Sequence, residues 1–300
     1  MQLYLTLMKN MELSALFGIF AAMGYAVAAL LAKRALADGA GVLRLAFLTN
    51  QMFVLVFGLY FLTAPMTADW TDWHQPILCG CLFFLGQIFT YAAIRYGDVS
   101  LQTPVMGTKA MFVVLIALCL GTEVVTPRLF VAALGAMIAV ALLGFSERLA
   151  KGSLFTISLA LLSAFFFACS DVMVGSFGSA FGTGPFLLTA MVTNALLSFA
   201  LIPFFRGRLF SISKSAWRWG LLSAGMMAGQ ALLLNYTLAQ YQNVGTTNVL
   251  YSSRGLWSVL LAAPAVWLLS LSQETLSART RNLRLGGAIL MSVTLLFWFS

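Results

Sequence analysis

Apolar runs of about 20 residues, the length that a helix needs to cross a bilayer, follow one another along the whole chain with short connections between them. Boundaries set by charged residues, Gly, Pro and Trp predict ten such spans: 13–32, 43–64, 76–95, 99–120, 128–146, 154–175, 185–205, 218–239, 245–269 and 282–299. Only 9% of the 300 residues are charged and 61% are apolar, whereas soluble domains carry about 25% charged residues. The composition excludes disordered, collagen-like and disulfide-scaffold proteins. We therefore predict an all-α polytopic membrane protein.

Lys and Arg are unevenly divided between the two faces of this ten-span arrangement. The face that carries the N-terminus holds Lys9 and Arg128. The other basic residues that fall in loops or at span ends lie on the opposite face: Lys33, Arg34, Arg44, Arg95, Arg148, Lys151, Arg206, Arg208, Lys214, Arg218, Arg279, Arg281 and Arg284. The positive-inside rule places this second face in the cytoplasm and both termini outside, and we expect the bacterial inner membrane. The net charge of +8 thus reflects membrane orientation, and no nucleic-acid partner is indicated.

The two halves of the chain align with each other. The matching pairs are Thr49-Asn50 with Thr193-Asn194, Leu85-Gly86-Gln87 with Ala228-Gly229-Gln230, Tyr96-Gly97-Asp98-Val99 with Tyr241-Gln242-Asn243-Val244, Lys109 with Arg254, Phe112 with Trp257, Glu123-x-x-Thr126-x-Arg128 with Glu274-x-x-Ser277-x-Arg279, and Gly135 with Gly286. Residues 1–150 and 151–300 are therefore predicted to be two five-span repeats. Because five is odd, the second repeat enters the membrane inverted. Inverted repeats are typical of secondary transporters, with a substrate site near the midplane; gene duplication without transport is the alternative.

These features resemble the drug/metabolite transporter superfamily, in its ten-helix form with two EamA-like repeats. The resemblance runs from about residue 13 to 298 and rests on the five-plus-five plan, the Gly121-Thr122-Glu123 turn after span four, and Gly135 and Gly286 in spans five and ten. It implies a cavity lined by spans 1, 3, 4, 6, 8 and 9, with spans 5 and 10 behind. Many members keep both termini in the cytoplasm, whereas the loop charges here predict the reverse.

Two basic residues lie inside predicted spans, Lys109 in span four and Arg254 in span nine. Each costs about 2.5–3.5 kcal/mol at a helix centre, so both are expected to face an aqueous cavity. Their equivalent positions in the repeat make them neighbours about the pseudo-two-fold axis, where they would attract an anion. The alternative is structural pairing with Asp171 in span six, although one Asp can neutralise only one of the two cations.

The triose-phosphate and nucleotide-sugar branches of the superfamily resemble this arrangement, since they hold phosphate with basic residues in helices four and nine. By position, the resemblance gives that role to Lys109 and Arg254. The phosphate translocators commonly carry two adjacent basic residues in helix nine, whereas Ser253 precedes Arg254 here. This departure leaves a carboxylate open as the ligand, because an Arg fork grips either group bidentately.

Further polar and aromatic residues are predicted to line the same space. The candidate substrate-binding residues besides the two cations are Gln87, Gln230, Asp171, Thr108, Tyr251, Ser252, Tyr25, Tyr91 and Trp257. Intramembrane Ser and Thr also bond to backbone carbonyls, and aromatic residues also serve only for packing. Gly225-x-x-x-Gly229 in span eight predicts a close helix contact.

The sequence contains no Ser/His/Asp set, no metal-spaced His/Cys cluster and no P-loop, so neither an enzyme nor a cofactor is expected. The leading hypothesis is a secondary transporter of a small organic anion, such as a phosphorylated metabolite or a carboxylate, that works by alternating access and exchange. An exporter of amino acids or related zwitterions is the second hypothesis, with Asp171 taking the ammonium group. A membrane subunit that does not transport is the third. The expected partners are a small-molecule substrate and the lipid bilayer, and the chain is expected to be a monomer or homodimer.

Overall fold

The computed structural model describes residues 2–64, 67–96, 105–144, 154–205, 207, 211–269 and 277–299, without the side chains of residues 2–11, 94, 95, 263, 265–267 and 299. Several residues on which the sequence predictions rest lie outside this set. They are Gly97, Asp98 and Val99 of one repeat motif, Glu274 of another, and the basic residues Arg148, Lys151, Arg206 and Arg208. The sidedness of the chain stays a prediction.

The described chain is helical, with short turns between the helices and no strands. Its α-helices are α1 (Gln2–Ala37), α2 (Val42–Thr63), α3 (His74–Tyr96), α4 (Thr108–Leu120), α5 (Pro127–Leu143), α6 (Leu154–Phe181), α7 (Thr183–Ser198), α8 (Lys214–Tyr241), α9 (Val244–Tyr251), α10 (Arg254–Leu268) and α11 (Ala278–Phe299). Two 3-10 helices accompany them, Trp70–Asp72 and Phe199–Phe204.

The all-helical class is confirmed, and among the described residues five helical segments are long and apolar enough to cross a membrane. They are Glu12–Ala37, Val42–Thr63, His74–Ala93, Leu154–Phe181 and Thr183–Phe204. Thr108–Leu120 and Pro127–Leu143 are shorter apolar helices. Ten spans arranged as inverted repeats stay a prediction. One predicted helix was wrong. The segment 245–269, predicted as a single helix, forms two helices, α9 and α10, with a turn at Ser252 and Ser253.

Residue spacing on α2 separates a core face from an outer face. Leu55, Leu59 and Leu62 follow one another at helical spacing, and each exposes more than half of its surface. Phe53 and Phe57 point the other way and are buried. Because residues three and four apart share a face of a helix, the exposed leucines form a continuous apolar stripe. Such a stripe is suited to acyl chains.

Helices from the two halves of the chain pack directly against each other. The most extensive contacts join α1 to α8, α3 to α6, and α5 to α11. One buried cluster includes Phe57 of α2, Phe186 of α7 and Leu238 of α8. The core is therefore shared between the halves, and the helices that carry the predicted site converge in it.

One glycine prediction was wrong. A Cβ at Gly225 or Gly229 would meet nothing within 4 Å, so Gly225-x-x-x-Gly229 is not a close helix contact; both residues line an open groove between α1 and α8. Gly286, the repeat counterpart of Gly135, also faces open space, and its neighbour Gly287 packs against α5 instead.

Candidate functional site

The helix is interrupted just before each of the two predicted cations. Gly107 forms a turn before α4, in which Lys109 is the second residue. Ser252 and Ser253 form a turn before α10, in which Arg254 is the first residue. In the second turn, the N–H of Ser253 bonds to the Leu250 carbonyl and that of Gly255 to the Ser252 carbonyl, both three residues back. The two interruptions occupy equivalent positions in the aligned halves.

Lys109 forms an ion pair with Asp171 of α6. Its Nζ lies 2.6 Å from Asp171 Oδ2, and both side chains are buried. The pairing that the sequence offered as the structural alternative is therefore present for Lys109. Breaking it would leave an uncompensated buried charge, which is strongly destabilising.

The ring of Tyr251, the last residue of α9, contacts both cations. Its centroid lies 5.6 Å from Lys109 Nζ and 4.6 Å from Arg254 Cζ, so the two cationic atoms are no more than about 10 Å apart. Arg254 Cζ also lies 5.0 Å from the ring of Tyr25 on α1. Cations within about 6 Å of an aromatic face are attracted by the ring quadrupole. We call Tyr25, Lys109, Asp171, Tyr251 and Arg254 the cation cluster.

The cation cluster has an unbalanced charge. Asp171 compensates Lys109, but no carboxylate of the described chain lies within 4.0 Å of Arg254. Two cations and one carboxylate give the cluster a net charge of +1. The aromatic rings attract the guanidinium without neutralising it, so one anionic charge can still be accommodated.

The repeat-related glutamines differ in their contacts. Gln230 accepts a hydrogen bond from the Tyr251 hydroxyl at 3.1 Å, and its Nε2 donates to the Met227 carbonyl. It therefore belongs to the rim of the cation cluster. Gln87 instead forms two reciprocal amide hydrogen bonds of 2.8 Å with Asn50. The Oε1 and Nε2 atoms of Gln87 are therefore both hydrogen-bonded within the protein.

Several predicted site residues have a structural partner or no contact with the cluster. Thr108 Oγ1 donates to the Val105 carbonyl, and Ser252 Oγ donates to the Asn248 carbonyl. Trp257 does not stack on Arg254 within the described contacts and packs against the apolar core instead. Tyr91 has no described hydrogen bond or ring contact with the cluster. Of the aromatic candidates, Tyr25 and Tyr251 contact Arg254, whereas Tyr91 and Trp257 do not among the described contacts.

Sequence reasoning left two residues out of the candidate set, Ser253 and Asn50 of α2. The Ser253 hydroxyl and the indole N–H of Trp257, which was a candidate, are buried and have no hydrogen-bond partner among the described residues. Both residues lie within one helical turn of Arg254 in the sequence. Asn50, the partner of Gln87, was visible in the sequence only through its repeat match with Asn194. Contacts between distant helices cannot be read from such a match.

The chain is similar to a known protein family and to a solved structure. Residues 12–145 match the model of the EamA-like transporter family. The predicted resemblance to the EamA-like family is confirmed. A solved structure described only as "Crystal structure of protein" has a TM-score of 0.69 and 19% identity to this chain, and the match covers 93% of this chain and 98% of that chain. No curated protein matches the chain significantly in sequence.

The family model matches residues 12–145, which is less than half of the chain. This match and the long apolar helices support an integral, multi-pass membrane protein. The structural likeness extends over nearly the full length and shows the fold alone. Whether residues 151–300 are a second, inverted EamA-like repeat stays a prediction.

Proposed function

We propose that this EamA-like protein is a secondary transporter of a small organic anion that binds at Arg254. The observation that carries the proposal is the net charge of +1 in the cation cluster, where Asp171 compensates Lys109 and no described carboxylate compensates Arg254. A singly charged carboxylate would neutralise the site. A phosphate dianion would overcompensate it by one negative charge.

The residues around Arg254 support this assignment. A guanidinium can hold a carboxylate through two parallel hydrogen bonds. Contacts with Tyr25 and Tyr251 restrain the guanidinium group. The Ser253 hydroxyl and the Trp257 indole N–H, within one helical turn of Arg254 in the sequence, are buried without a hydrogen-bond partner among the described residues. Ground-state preorganisation of this kind reduces the entropy that binding must offset.

Alternating access by exchange follows from the same charge. An empty site that closes with an uncompensated Arg254 inside the bilayer carries the cost of a desolvated charge. A bound anion removes much of that cost, so the loaded protein changes conformation more readily than the empty one. The proposed mode is therefore exchange of one anion for another.

A second candidate is export of amino acids or related zwitterions. The observation that favours it is that Asp171 already holds an ammonium group, the Nζ of Lys109, at 2.6 Å. A substrate ammonium could replace that group while Arg254 holds the carboxylate. In this case Asp171→Asn would abolish transport of amino acids and spare simple carboxylates.

Reconstitution in proteoliposomes tests the proposal. Uptake of carboxylates, phosphorylated metabolites and amino acids is measured with and without the same solutes inside, for wild type, Arg254→Ala and Lys109→Ala. Arg128→Ala is a matched control, because Arg128 is exposed and bonds to the Phe297 carbonyl away from the cluster. Loss of a charge-assisted hydrogen bond is expected to raise KM about 10- to 100-fold in Arg254→Ala.

Three outcomes of the uptake measurements would each contradict one part of the proposal. Uptake of every solute at the rate of protein-free liposomes would overturn transport and favour a subunit without transport activity. Equal uptake with empty and loaded vesicles would overturn obligatory exchange. An Arg254→Ala variant that transports anions with the KM of Arg128→Ala would overturn the assignment of Arg254.

A further inference from the structure

Glu123 joins the two halves of the chain at one end of the bundle. It lies in the loop between α4 and α5, and its Oε2 accepts a hydrogen bond of 2.7 Å from the backbone N–H of Gly245. The N–H of Thr246 also donates to this carboxyl group. Both donors belong to the first turn of α9. A residue of the first half therefore caps a helix of the second half.

The first turn of α9 needs such a partner. The first N–H groups of a helix have no acceptor within the helix and carry a partial positive charge. Asn243 stands at the N-cap position, but its side chain makes no capping hydrogen bond. Its Nδ2 donates to Ser14 Oγ of α1 at 3.0 Å instead. Glu123 thus supplies the acceptor that the local sequence does not.

Close packing surrounds the same turn. A Cβ at Gly245 would lie 2.9 Å from Leu129 Cδ2 of α5 and 3.2 Å from Glu123 Oε2, so the carboxylate fits only because residue 245 is glycine. All residues of α9, from Val244 to Tyr251, are buried. On α1, Gly18 lies against Thr247. This end of the bundle is closed where α1, α4, α5 and α9 meet.

Through α9, this contact is connected to the cation cluster. Gly245 and Tyr251 are six residues apart on one helix, a rise of about 9 Å. Tyr251 contacts both Lys109 and Arg254. Movement of the first turn of α9 away from α4 would therefore displace the ring that both cations contact.

We propose that Glu123 is a latch that holds the first turn of α9 against α4, and that its release opens this end of the bundle during transport. The inference rests on the proposed function for its role in transport. The latch itself is a conformational contact, and it can be tested without knowledge of the substrate. Glu123 acts in this mechanism as a positioning residue and does not touch the substrate.

Cysteine accessibility measures the latch directly. Thr247→Cys is introduced into full-length protein in which Cys79, Cys81, Cys119 and Cys169 are replaced by alanine, and its labelling by a membrane-impermeant maleimide is timed. Thr247 is fully buried in the closed arrangement. Glu123→Ala removes the carboxyl group that accepts from the N–H groups of Gly245 and Thr246. Labelling is expected to accelerate about tenfold or more, because unpaired buried N–H groups disfavour the closed state.

Three further variants separate a latch from a general loss of structure. Glu123→Gln keeps a side-chain carbonyl acceptor and is expected to label at nearly the wild-type rate. Glu123→Asp keeps the charge but is one methylene shorter, so it is expected to accelerate labelling even if Glu123→Ala does not fold. Glu12→Ala is the matched control, because Glu12 is an exposed acidic residue near the same end of α1.

Each outcome bears on one proposal only. Wild-type labelling rates in both Glu123→Ala and Glu123→Asp would overturn the latch, as would equal acceleration in Glu12→Ala. Anion uptake is then measured in the same variants. A latch is expected to change the maximal uptake rate while KM stays within about twofold of wild type. Unchanged uptake would overturn the role of the latch in transport. Absence of anion uptake in wild type would overturn the proposed function and leave the labelling result intact.

Discussion

Lys109 and Asp171 form a buried ion pair, with 2.6 Å between Nζ and Oδ2, on two helices that come from different halves of the chain. The pair fixes α4 against α6 next to the ring of Tyr251. Because Asp171 compensates the charge of Lys109, Arg254 is the uncompensated cation of the cluster. The geometry therefore gives the two basic residues different surroundings, although they align with each other in the sequences of the two halves.

Asp171→Asn is expected to destabilise the protein by about 3–5 kcal/mol, because it leaves the buried Lys109 ammonium without a counterion. The double variant Lys109→Met with Asp171→Leu is expected to recover most of this loss, since apolar replacements remove both charges. Unfolding in mild detergent by chemical denaturation is compared across Lys109→Met, Asp171→Leu and the double variant, and the difference between the summed single effects and the double effect is the coupling energy of the pair. A double variant no more stable than Asp171→Asn would contradict the structural part of this role.

Arg254→Lys is expected to raise KM for an anionic substrate about tenfold while keeping the charge, because Lys lacks the planar fork that binds a carboxylate bidentately and stacks on aromatic rings. Arg254→Ala is expected to raise it further. Initial uptake rates at varied substrate concentrations separate KM from the maximal rate. Indistinguishable KM values for wild type and Arg254→Lys would mean that substrate binding depends only on the charge of residue 254.

Asn50 and its repeat counterpart Asn194 are expected to respond oppositely to replacement by leucine. Asn50→Leu leaves the buried Gln87 amide without its two hydrogen bonds and is expected to cost about 1–3 kcal/mol. Both side-chain amide atoms of Asn194 are buried without a hydrogen-bond partner in the described structure, so Asn194→Leu is expected to be neutral or stabilising. Thermal unfolding of the two variants in one detergent is the measurement, and a larger loss in Asn194→Leu would show that its amide has a partner in the membrane.

Two glycines with opposite surroundings predict opposite effects of alanine. A Cβ at Gly80 would overlap the Ala190 carbonyl oxygen and crowd Thr193, and Gly80→Ala is expected to cost about 1–3 kcal/mol by overpacking. A Cβ at Gly229 would meet nothing within 4 Å, so Gly229→Ala is expected to stabilise α8 by about 0.5–1 kcal/mol through helix propensity. Apparent melting temperatures that change in the same direction would contradict these contacts.

Much of the site was accessible from the sequence because charge inside a membrane is costly. That cost singled out Lys109, Asp171 and Arg254, and the repeat alignment predicted that the two cations are neighbours. Gly121 and the Thr126-Pro127 pair signal the end of α4 and the start of α5, since Gly121 adopts a left-handed conformation and Thr126 caps α5. These signals depend on residues close together in the chain.

Other features depend on contacts that no local pattern contains. Glu123 was visible as part of a family-like turn, but its acceptor role for α9 links residues 122 positions apart. The turn at Ser252 and Ser253 lies inside a segment of the length and mean hydropathy of one span, so hydropathy alone predicted a single helix. Tyr251 was among the candidates, yet its contact with both cations requires the packing of α9 against α4 and α1. Gly225 and Gly229 match a packing motif but face open space, because the motif does not encode a partner helix.

Acidification is expected to favour closure at the Glu123 end of the bundle. Burial raises the pKa of the Glu123 carboxyl above its ordinary value of 4.5, and the N–H groups of Gly245 and Thr246 lower the pKa by less. A group whose pKa is higher in the closed state than in the hydrated open state binds a proton more tightly when closed. Closure therefore strengthens as pH falls through the raised pKa towards 4.5.

The labelling rate of Thr247→Cys, corrected for the intrinsic pH dependence of the maleimide reaction, measures this effect. It is expected to fall in mildly acidic solution, and the fall is expected to be absent in Glu123→Gln, which carries no titratable group. Other ionisable residues at this end, on helices that contact α4 or α9, are Glu12, Cys119, Arg128 and Tyr241, together with Lys9, whose side chain is not described. Glu12→Gln is the control, because a pH effect that persists in Glu123→Gln and disappears in Glu12→Gln would assign the titration to α1 instead.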